Sequence, residues 1–308
     1  MQDKYIPLKQ QRDVGEMTTT YFEFFKQNFK PFLNIFISYN GLFILGFLGV
    51  SYLLVTGFVG TFVNTPVYGV GAVKSNYDAY FIIGGLGFFI LFIITAILNY
   101  SLAAVYMIQY EDNKGKAVEK QKVWEVVKQH FGKIALFIVL MVICYVAVMI
   151  IGIILAFIPI LGTFAYYLLI LAYTSWMGLS FMAMLNDNKE VTDAFGEGFK
   201  LLKKFFWKSV LSNLVIGLLL GILMIVVLMV PGILIGIYAF HSLDTGVDLA
   251  NSPVANVVWT LALSVLLILY TLNQSLSQFV NGILYYSLHE ETYNEATRER
   301  IDNIGAGE

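Results

Sequence analysis

The sequence predicts an all-α integral membrane protein, a bundle of six transmembrane helices in three repeats, each led by an amphipathic interfacial helix. Three observations predict this fold. Of the 308 residues, 58% are apolar and 13% are charged, whereas a soluble domain carries about 25% charge. Five long stretches contain no Asp, Glu, Lys or Arg. A short pattern of aromatic and Lys residues also recurs three times along the chain.

The uncharged stretches supply the six spans. A spanning helix needs about 20 mostly apolar residues. The stretch 134–186 is long enough for two, and Pro159 with Gly162 marks the turn between them. The predicted spans are 32–57, 80–108, 134–157, 164–185, 210–237 and 254–287.

The cations predict the orientation of these spans. Of the 19 Lys and Arg residues, only Lys74 falls on the side opposite to all the others. Cationic residues beside short loops remain in the cytoplasm. We therefore expect the N-terminus, the loops between spans two and three and between spans four and five, and the C-terminus to be cytoplasmic.

The repeat is the most informative feature of the chain. Three segments align without gaps, at 22–29, 124–131 and 199–206. Upstream of the second and third, Asp112-Asn113-Lys114 matches Asp187-Asn188-Lys189 in the same register. We expect one membrane domain, whose parts are repeats at about 12–110, 112–186 and 187–290 and a charged C-terminal tail at 291–308.

Each aligned segment reads as an amphipathic helix, and Pro31 or Gly132 marks the place where that helix meets the span in the first two copies, since such residues allow a change of direction. The apolar positions of each segment recur at i, i+3 and i+7, which is one helix face, and Lys26, Lys128 and Lys203 lie beside them. Such a helix lies in the membrane interface with its apolar face toward the lipid chains, or it packs against the other repeats. The two interpretations are compatible. The candidate interfacial stripe comprises Phe22, Phe25, Phe29, Trp124, Val127, Phe131, Phe199, Leu202 and Phe206.

The order of these parts resembles a known family. The stretch Arg12-Asp-Val-Gly-Glu16 leads into an aromatic amphipathic helix, and six spans follow in three pairs. This arrangement resembles the membrane domain attached to some bacterial glycerophosphodiester phosphodiesterases, and related stand-alone bacterial membrane proteins of unknown function. The chain has no room for the soluble catalytic barrel of those enzymes. The resemblance therefore implies a membrane module in the bacterial cytoplasmic (inner) membrane, without an imported activity.

The spans offer no group for catalysis or charge transport. None contains Asp, Glu, Lys, Arg or His, and proton- or ion-coupled transporters usually need such groups at membrane depth. No phosphate-binding loop, zinc-hydrolase motif or serine-hydrolase motif is present. The single Cys cannot form an internal disulfide, and the three His residues are far apart. The sequence predicts no enzyme, no cofactor, no metal site and no nucleic-acid partner.

Span six carries the strongest polar feature inside the membrane. Four polar residues recur there at i, i+3, i+4 and i+7, so they share one helix face. Interhelical hydrogen bonds are the favoured interpretation, and the lining of a cavity is the alternative. With residues of comparable depth in spans two and four, the candidate polar cleft comprises Asn99, Thr174, Ser175, Gln274, Ser277, Gln278 and Asn281.

Span five carries glycines at Gly217-x3-Gly221 and Gly232-x3-Gly236. This spacing allows two helices to approach closely. Packing within the chain is the favoured use and a dimer seam is the alternative, so the oligomeric state is left open.

These observations favour a non-enzymatic integral membrane module that acts as a scaffold or subunit. Its expected partners are membrane lipid and a membrane or cytoplasmic protein. The alternative is a transporter or lipid-handling protein for an uncharged or amphiphilic substrate, which would use the polar cleft near span six.

Overall fold

The computed structural model describes residues 5–63, 77–244, 252–295, 297–298 and 301. Within these residues the chain is helical and contains no strand. The helices are α1 (Val14–Phe58), α2 (Tyr77–Asp112), α3 (Lys120–Gln129), α4 (Phe131–Ala156), α5 (Leu161–Asn186), α6 (Val191–Lys204), α7 (Phe206–Asp244) and α8 (Pro253–Tyr293). A short π-helical turn, Val59–Val63, follows α1. Of the residues used to predict orientation, Lys4, Lys74 and Arg300 lie outside the described part, as does most of the predicted tail.

Six of these helices are long and apolar enough to cross a membrane. They are α1, α2, α4, α5, α7 and α8, and each contains one predicted span, although the third predicted span ends one residue beyond Ala156. The all-α membrane class is therefore confirmed.

The first amphipathic segment does not form a helix of its own. The helix α1 runs from Val14 to Phe58 without a break, and Pro31 lies inside it. Proline removes one backbone hydrogen bond, but here the helix continues beyond it. The expectation that Pro31 separates an interfacial helix from the first span is therefore wrong.

The motif Arg12-Asp-Val-Gly-Glu16 starts this helix. The backbone N–H of Glu16 donates to Asp13 Oδ1 at 2.8 Å, and the N–H of Asp13 donates to Glu16 Oε2 at 2.9 Å. This reciprocal pair satisfies two of the N–H groups at the helix start. The buried Arg12 guanidinium donates to the carbonyl of Leu8 at 2.8 Å and so holds the preceding segment.

The second and third amphipathic segments do break from their spans. The break falls at His130 (φ −95°, ψ 6°) and at Phe205 (φ −124°, ψ 43°), positions that the sequence alignment pairs. The predicted junction at Gly132 is therefore two residues late. The starts of α1 and α6, Val14 and Val191, are also paired by that alignment, whereas α3 starts one turn later. The threefold repeat itself stays a prediction.

The turn between α4 and α5 lies where the sequence predicts it. Ile160 has a φ of 61°, and α5 begins at the next residue. A Cβ at Gly162 would lie 1.8 Å from the carbonyl oxygen of Leu155. Only glycine allows so close an approach of the two chain segments.

The chain forms two compact units, the first comprising Met1–Ile35, Asn99–Leu219 and Ser275–Glu308 and the second Phe36–Leu98 and Leu220–Gln274. An aromatic core holds the first unit, where the Phe279 ring lies 5.3 Å from Phe24 and 4.8 Å from Phe32. In the second unit α1 and α2 approach closely, because a Cβ at Gly57 would lie 2.5 Å from the backbone nitrogen of Phe81.

The glycine spacing of span five does not produce packing within the described chain. A Cβ added at Gly217, Gly221, Gly232 or Gly236 would meet no atom within 4 Å. In the first unit α7 instead buries Ser209, Ser212 and Ile216, which lie on another face. Intramolecular packing through these glycines, the favoured use, is therefore wrong for the part of the chain that the structure describes.

Candidate functional site

A cleft of about 230 Å³ lies in the first unit, between α2, α4, α5 and α8. Thr174, Gln278 and Asn281 line it with a hydroxyl and two amides, and three tyrosines add hydroxyl groups. No Asp, Glu, Lys, Arg or His is among the described residues that line it. The rest of its wall is aromatic, aliphatic or sulfur-containing, and includes Tyr100, Phe137, Met141, Tyr145, Tyr173, Met177 and Phe181.

The polar end of the cleft is formed by α8. Gln278 and Asn281 are three residues apart, so both side chains lie on one face of the helix. They are 0% and 2% exposed. Both lie six to nine residues before the end of the predicted span, which corresponds to about 9–14 Å along the helix. Both amides are therefore buried within the predicted sixth span.

Gly178 of α5 makes the space that Asn281 occupies. A Cβ at residue 178 would lie 2.1 Å from Cγ of Asn281 and 2.3 Å from its Nδ2. No real side chain tolerates such contacts, so Asn281 fits only against a glycine. The position of the Asn281 amide in the cleft thus depends on a residue of a different helix.

Two amide atoms at this end have no partner among the described residues. They are Gln278 Nε2, a donor, and Asn281 Oδ1, an acceptor. The two side chains make only a long contact with each other, 3.4 Å from Asn281 Nδ2 to Gln278 Oε1. A buried polar group without a hydrogen bond costs about 1–3 kcal/mol. An occupant that supplies one acceptor and one donor would remove this cost.

The other end of the cleft opens sideways between α4 and α5. Val142 and Tyr145 of α4 are 50% and 42% exposed, and Thr174 of α5 is also exposed. The hydroxyl of Tyr173 donates to the carbonyl of Met141 at 2.7 Å, which fixes the Tyr173 ring beside that of Tyr145. The rim of the cleft is therefore exposed and largely apolar.

Only three of the seven predicted cleft residues line the cleft that the structure describes. Thr174, Gln278 and Asn281 line the cleft, although Thr174 Oγ1 already donates to the carbonyl of Ile170 in its own helix at 2.9 Å. Ser277 is half-buried and is not among the lining residues. Gln274 belongs to the second unit, where its Oε1 is buried without a described partner.

Ser175 and Asn99 join helices instead. The Ser175 hydroxyl accepts a hydrogen bond from Asn213 Nδ2 at 2.9 Å and donates to the carbonyl of Leu171. The carbonyl of Asn99 accepts from the Ser275 hydroxyl at 3.3 Å. For Ser175 the favoured interpretation, a hydrogen bond between helices, matches the observed contacts, whereas the contact at Asn99 uses the backbone carbonyl and not the side-chain amide.

Sequence reasoning missed two contributors to this region. Asn213 is an amide inside the apolar fifth span, and its polarity alone could have marked it. Gly178 could not have been found in that way, because nothing in a single sequence says which residue will face Asn281.

The nine positions of the candidate interfacial stripe do not share one environment. Val127 and Leu202, in the middle of their segments, are 4% and 6% exposed and pack inside the protein. Phe131 and Phe199 are 60% and 51% exposed. The remaining positions are half-buried, namely Phe22, Phe25, Phe29, Trp124 and Phe206.

A polar cluster joins the end of α5 to α6 and α8. The hydroxyl of Tyr285 donates to Asp187 Oδ1 at 2.6 Å, and Lys189 lies 3.0 Å from Asp187 and 3.4 Å from Glu197. Burial alone would raise the pKa of Asp187, but hydrogen bonds from Tyr285, Asn186 and Lys189 outweigh it and lower that pKa. The cluster thus stabilises Asp187 as a carboxylate and fixes the helix ends.

These features define a multi-pass integral membrane protein with a small uncharged cleft between its long apolar helices. No family model, no curated protein and no solved structure matches this chain. The resemblance to the membrane domain of glycerophosphodiester phosphodiesterases therefore stays a prediction.

Proposed function

We propose that this membrane protein has a non-enzymatic role and binds a small uncharged molecule, or the polar part of an uncharged amphiphile, in the cleft at Gln278 and Asn281. One observation carries the proposal. A buried donor and a buried acceptor, Gln278 Nε2 and Asn281 Oδ1, share a cavity of about 230 Å³ and have no described partner.

The chemistry of the lining supports an uncharged ligand. A buried charge needs an opposite charge or several hydrogen bonds, and no described charged residue lines the cleft. Aromatic rings and methionines beside the amides favour an apolar portion in the same molecule. The ligand class is therefore a molecule with one hydrogen-bonding group attached to an apolar body.

The size of the cleft limits what enters it. An engineered cavity of about 150 Å³ holds benzene, and sites for drug-sized ligands begin near about 300 Å³. A space between these values takes a small ligand or one segment of a lipid-like molecule. The remainder of a longer amphiphile would pass the rim at Val142 and Tyr145 and lie among lipid chains.

Mass spectrometry of the purified protein tests the proposal. The full chain is isolated in mild detergent, and its extractable small molecules are measured for the wild type, for Q278L/N281L and for the control S175A/N213L. The wild type and the control should retain a shared amphiphile at about one per chain, and Q278L/N281L should lose it. If all three proteins retain the same molecules in the same amounts, the proposal is wrong.

The scaffold function is a second candidate, favoured by the exposed aromatics Phe131 and Phe199 beside the Lys-rich segments. Such a surface would hold lipid or another protein on the side of the membrane that carries α3 and α6. We place this side in the cytoplasm because of its cations. Cysteines introduced at Lys114 and Lys189 should then resist an impermeant thiol reagent in intact cells. Labelling of either cysteine without lysis would mean that this side of the protein is not cytoplasmic.

A further inference from the structure

Three lysines occupy equivalent places in the aligned segments. Lys26, Lys128 and Lys203 each follow an aromatic residue by four positions, after Phe22, Trp124 and Phe199. Residues four apart are neighbours on a helix surface, so each segment presents an aromatic ring with an ammonium group beside it. All three lysines are exposed.

These three lysines lack an acidic partner, whereas three other lysines of the neighbouring segments have one. Lys122, Lys133 and Lys208 pair with Glu119, Glu190 and Glu291. In contrast, no ion pair or hydrogen bond joins the side chain of Lys26, Lys128 or Lys203 to any residue that the structure describes. Their charges are available to an anion outside the protein.

Their distance from the spans sets where that anion lies. Lys26 precedes its predicted span by six residues of the continuous helix α1, or about 9 Å. Lys128 and Lys203 precede theirs by six and seven residues, with the helix breaks at His130 and Phe205 in between. The headgroup layer on each side of a bilayer is about 5–8 Å thick, and a lysine side chain reaches back toward it. Two spans separate each segment from the next, so all three lie on the same side of the membrane.

We propose that Lys26, Lys128 and Lys203, each with its aromatic neighbour, bind the headgroups of anionic phospholipids. The aromatic rings lie at the depth where Tyr and Trp are enriched in membrane proteins, and the ammonium groups neutralise phosphate at the surface. This inference rests on the second candidate function, because it names anionic lipid as the partner of that surface. It is independent of the cleft.

A lipid titration with matched variants tests the inference. The full chain in neutral detergent is titrated with phosphatidylglycerol or phosphatidylcholine, and bound lipid is counted by native mass spectrometry. The wild type should prefer phosphatidylglycerol, by about fivefold for each lysine, and this preference should weaken as salt rises. The variant K26Q/K128Q/K203Q should lose most of the preference, while K26R/K128R/K203R should keep it.

The control K122Q/K133Q/K208Q removes the same total charge from lysines that have acidic partners. It should bind phosphatidylglycerol as the wild type does. Equal losses in the control and in K26Q/K128Q/K203Q would overturn the inference, because the effect would then reflect net charge alone. A wild type without preference for the anionic lipid would also overturn it, and would favour a protein partner for this surface.

The cleft variant separates the two proposals. Q278L/N281L should keep the phosphatidylglycerol preference whether or not the cleft binds a ligand, because its substitutions lie on a different helix from each of the three lysines and change no charge. Loss of the preference in that variant would mean that the counted lipid occupies the cleft, which would contradict the assignment to the lysines.

Discussion

Two sets of uncharged polar residues in the first unit behave differently, although both lie in apolar spans. Ser175 and Asn213 bond to each other and to backbone carbonyls, and they join α5 to α7. Gln278 and Asn281 of α8 are also buried, yet each keeps an amide atom without a described partner and faces a cleft. A polar residue in a span therefore indicates a ligand site only when its hydrogen bonds are not already made within the protein.

The largest expected effect comes from removing the space that Asn281 needs. Gly178→Ala places a Cβ about where the Asn281 amide lies. Overpacking of this kind costs about 1–3 kcal/mol, measured by thermal unfolding in detergent. Adding Asn281→Ala should restore much of the loss, because the smaller side chain frees the space.

Gly217→Ala is the control for this substitution. Its Cβ would meet no atom within 4 Å, and alanine favours helix over glycine by about 1 kcal/mol. Gly217→Ala should therefore leave stability unchanged or raise it. A Gly178→Ala protein as stable as the wild type would show that Asn281 does not occupy the position described.

A smaller effect with a distinct pH dependence is expected at Asp187. Its pKa is lowered in the folded protein, so the carboxylate contributes stability at pH values above its ordinary pKa of about 3.9. That contribution is lost as the pH falls through the lowered value. Asp187→Asn should cost about 1 kcal/mol near pH 6, and the cost should shrink toward pH 3.

Asp112, the aligned counterpart of Asp187, supplies the control because it is exposed. Asp112→Asn should change stability little at either pH. If Asp187→Asn costs the same at pH 3 as at pH 6, the charge of Asp187 does not stabilise the fold, and the cluster acts only by packing.

The comparison between the two polar sets gives the smallest predicted effect. Asn213→Leu removes one hydrogen bond between helices, to Ser175, and such a bond is worth about 0.6 kcal/mol in membranes, with a maximum of about 1.7. Gln278→Leu with Asn281→Leu should cost less than Asn213→Leu or should stabilise the protein, because amide atoms without partners are removed. A larger loss of stability in the Gln278 and Asn281 variant would mean that these two amides also stabilise the fold through hydrogen bonds within the protein.

The sequence predicts the spans well because the signal is local. Runs such as 134–186 are long and uncharged, and backbone groups in a membrane must be paired within a helix. The positions of helix breaks are harder to predict. Pro31 lies inside a continuous helix, whereas His130 and Phe205, which carry no breaking signal, end helices. Tertiary packing decides these boundaries.

The candidate site could be predicted only in part. Helical periodicity placed Gln278 and Asn281 on one face, and that face does line the cleft. The same periodicity grouped Gln274 and Ser277 with them, although neither residue lines the cleft. Which polar residues find partners depends on the opposing helices, as Gly178 and Asn213 show, and a single sequence does not specify those pairs.

The residues of the candidate interfacial stripe also show that periodicity does not predict burial. Val127 and Phe131 lie on one predicted face, yet the first is buried and the second is largely exposed. Periodicity gives the direction of a side chain but not how far the neighbouring protein extends over it. Contacts between helices far apart in sequence set that boundary.

An experimental structure of the full chain in a lipid nanodisc would show directly whether the cleft binds a ligand. We expect density for a bound molecule inside the cleft, within hydrogen-bond distance of Gln278 Nε2 and Asn281 Oδ1, that extends past Tyr145 toward the lipid. A closed cleft in which both amides bond to protein groups would contradict this expectation and would make this face of α8 another set of hydrogen bonds between helices.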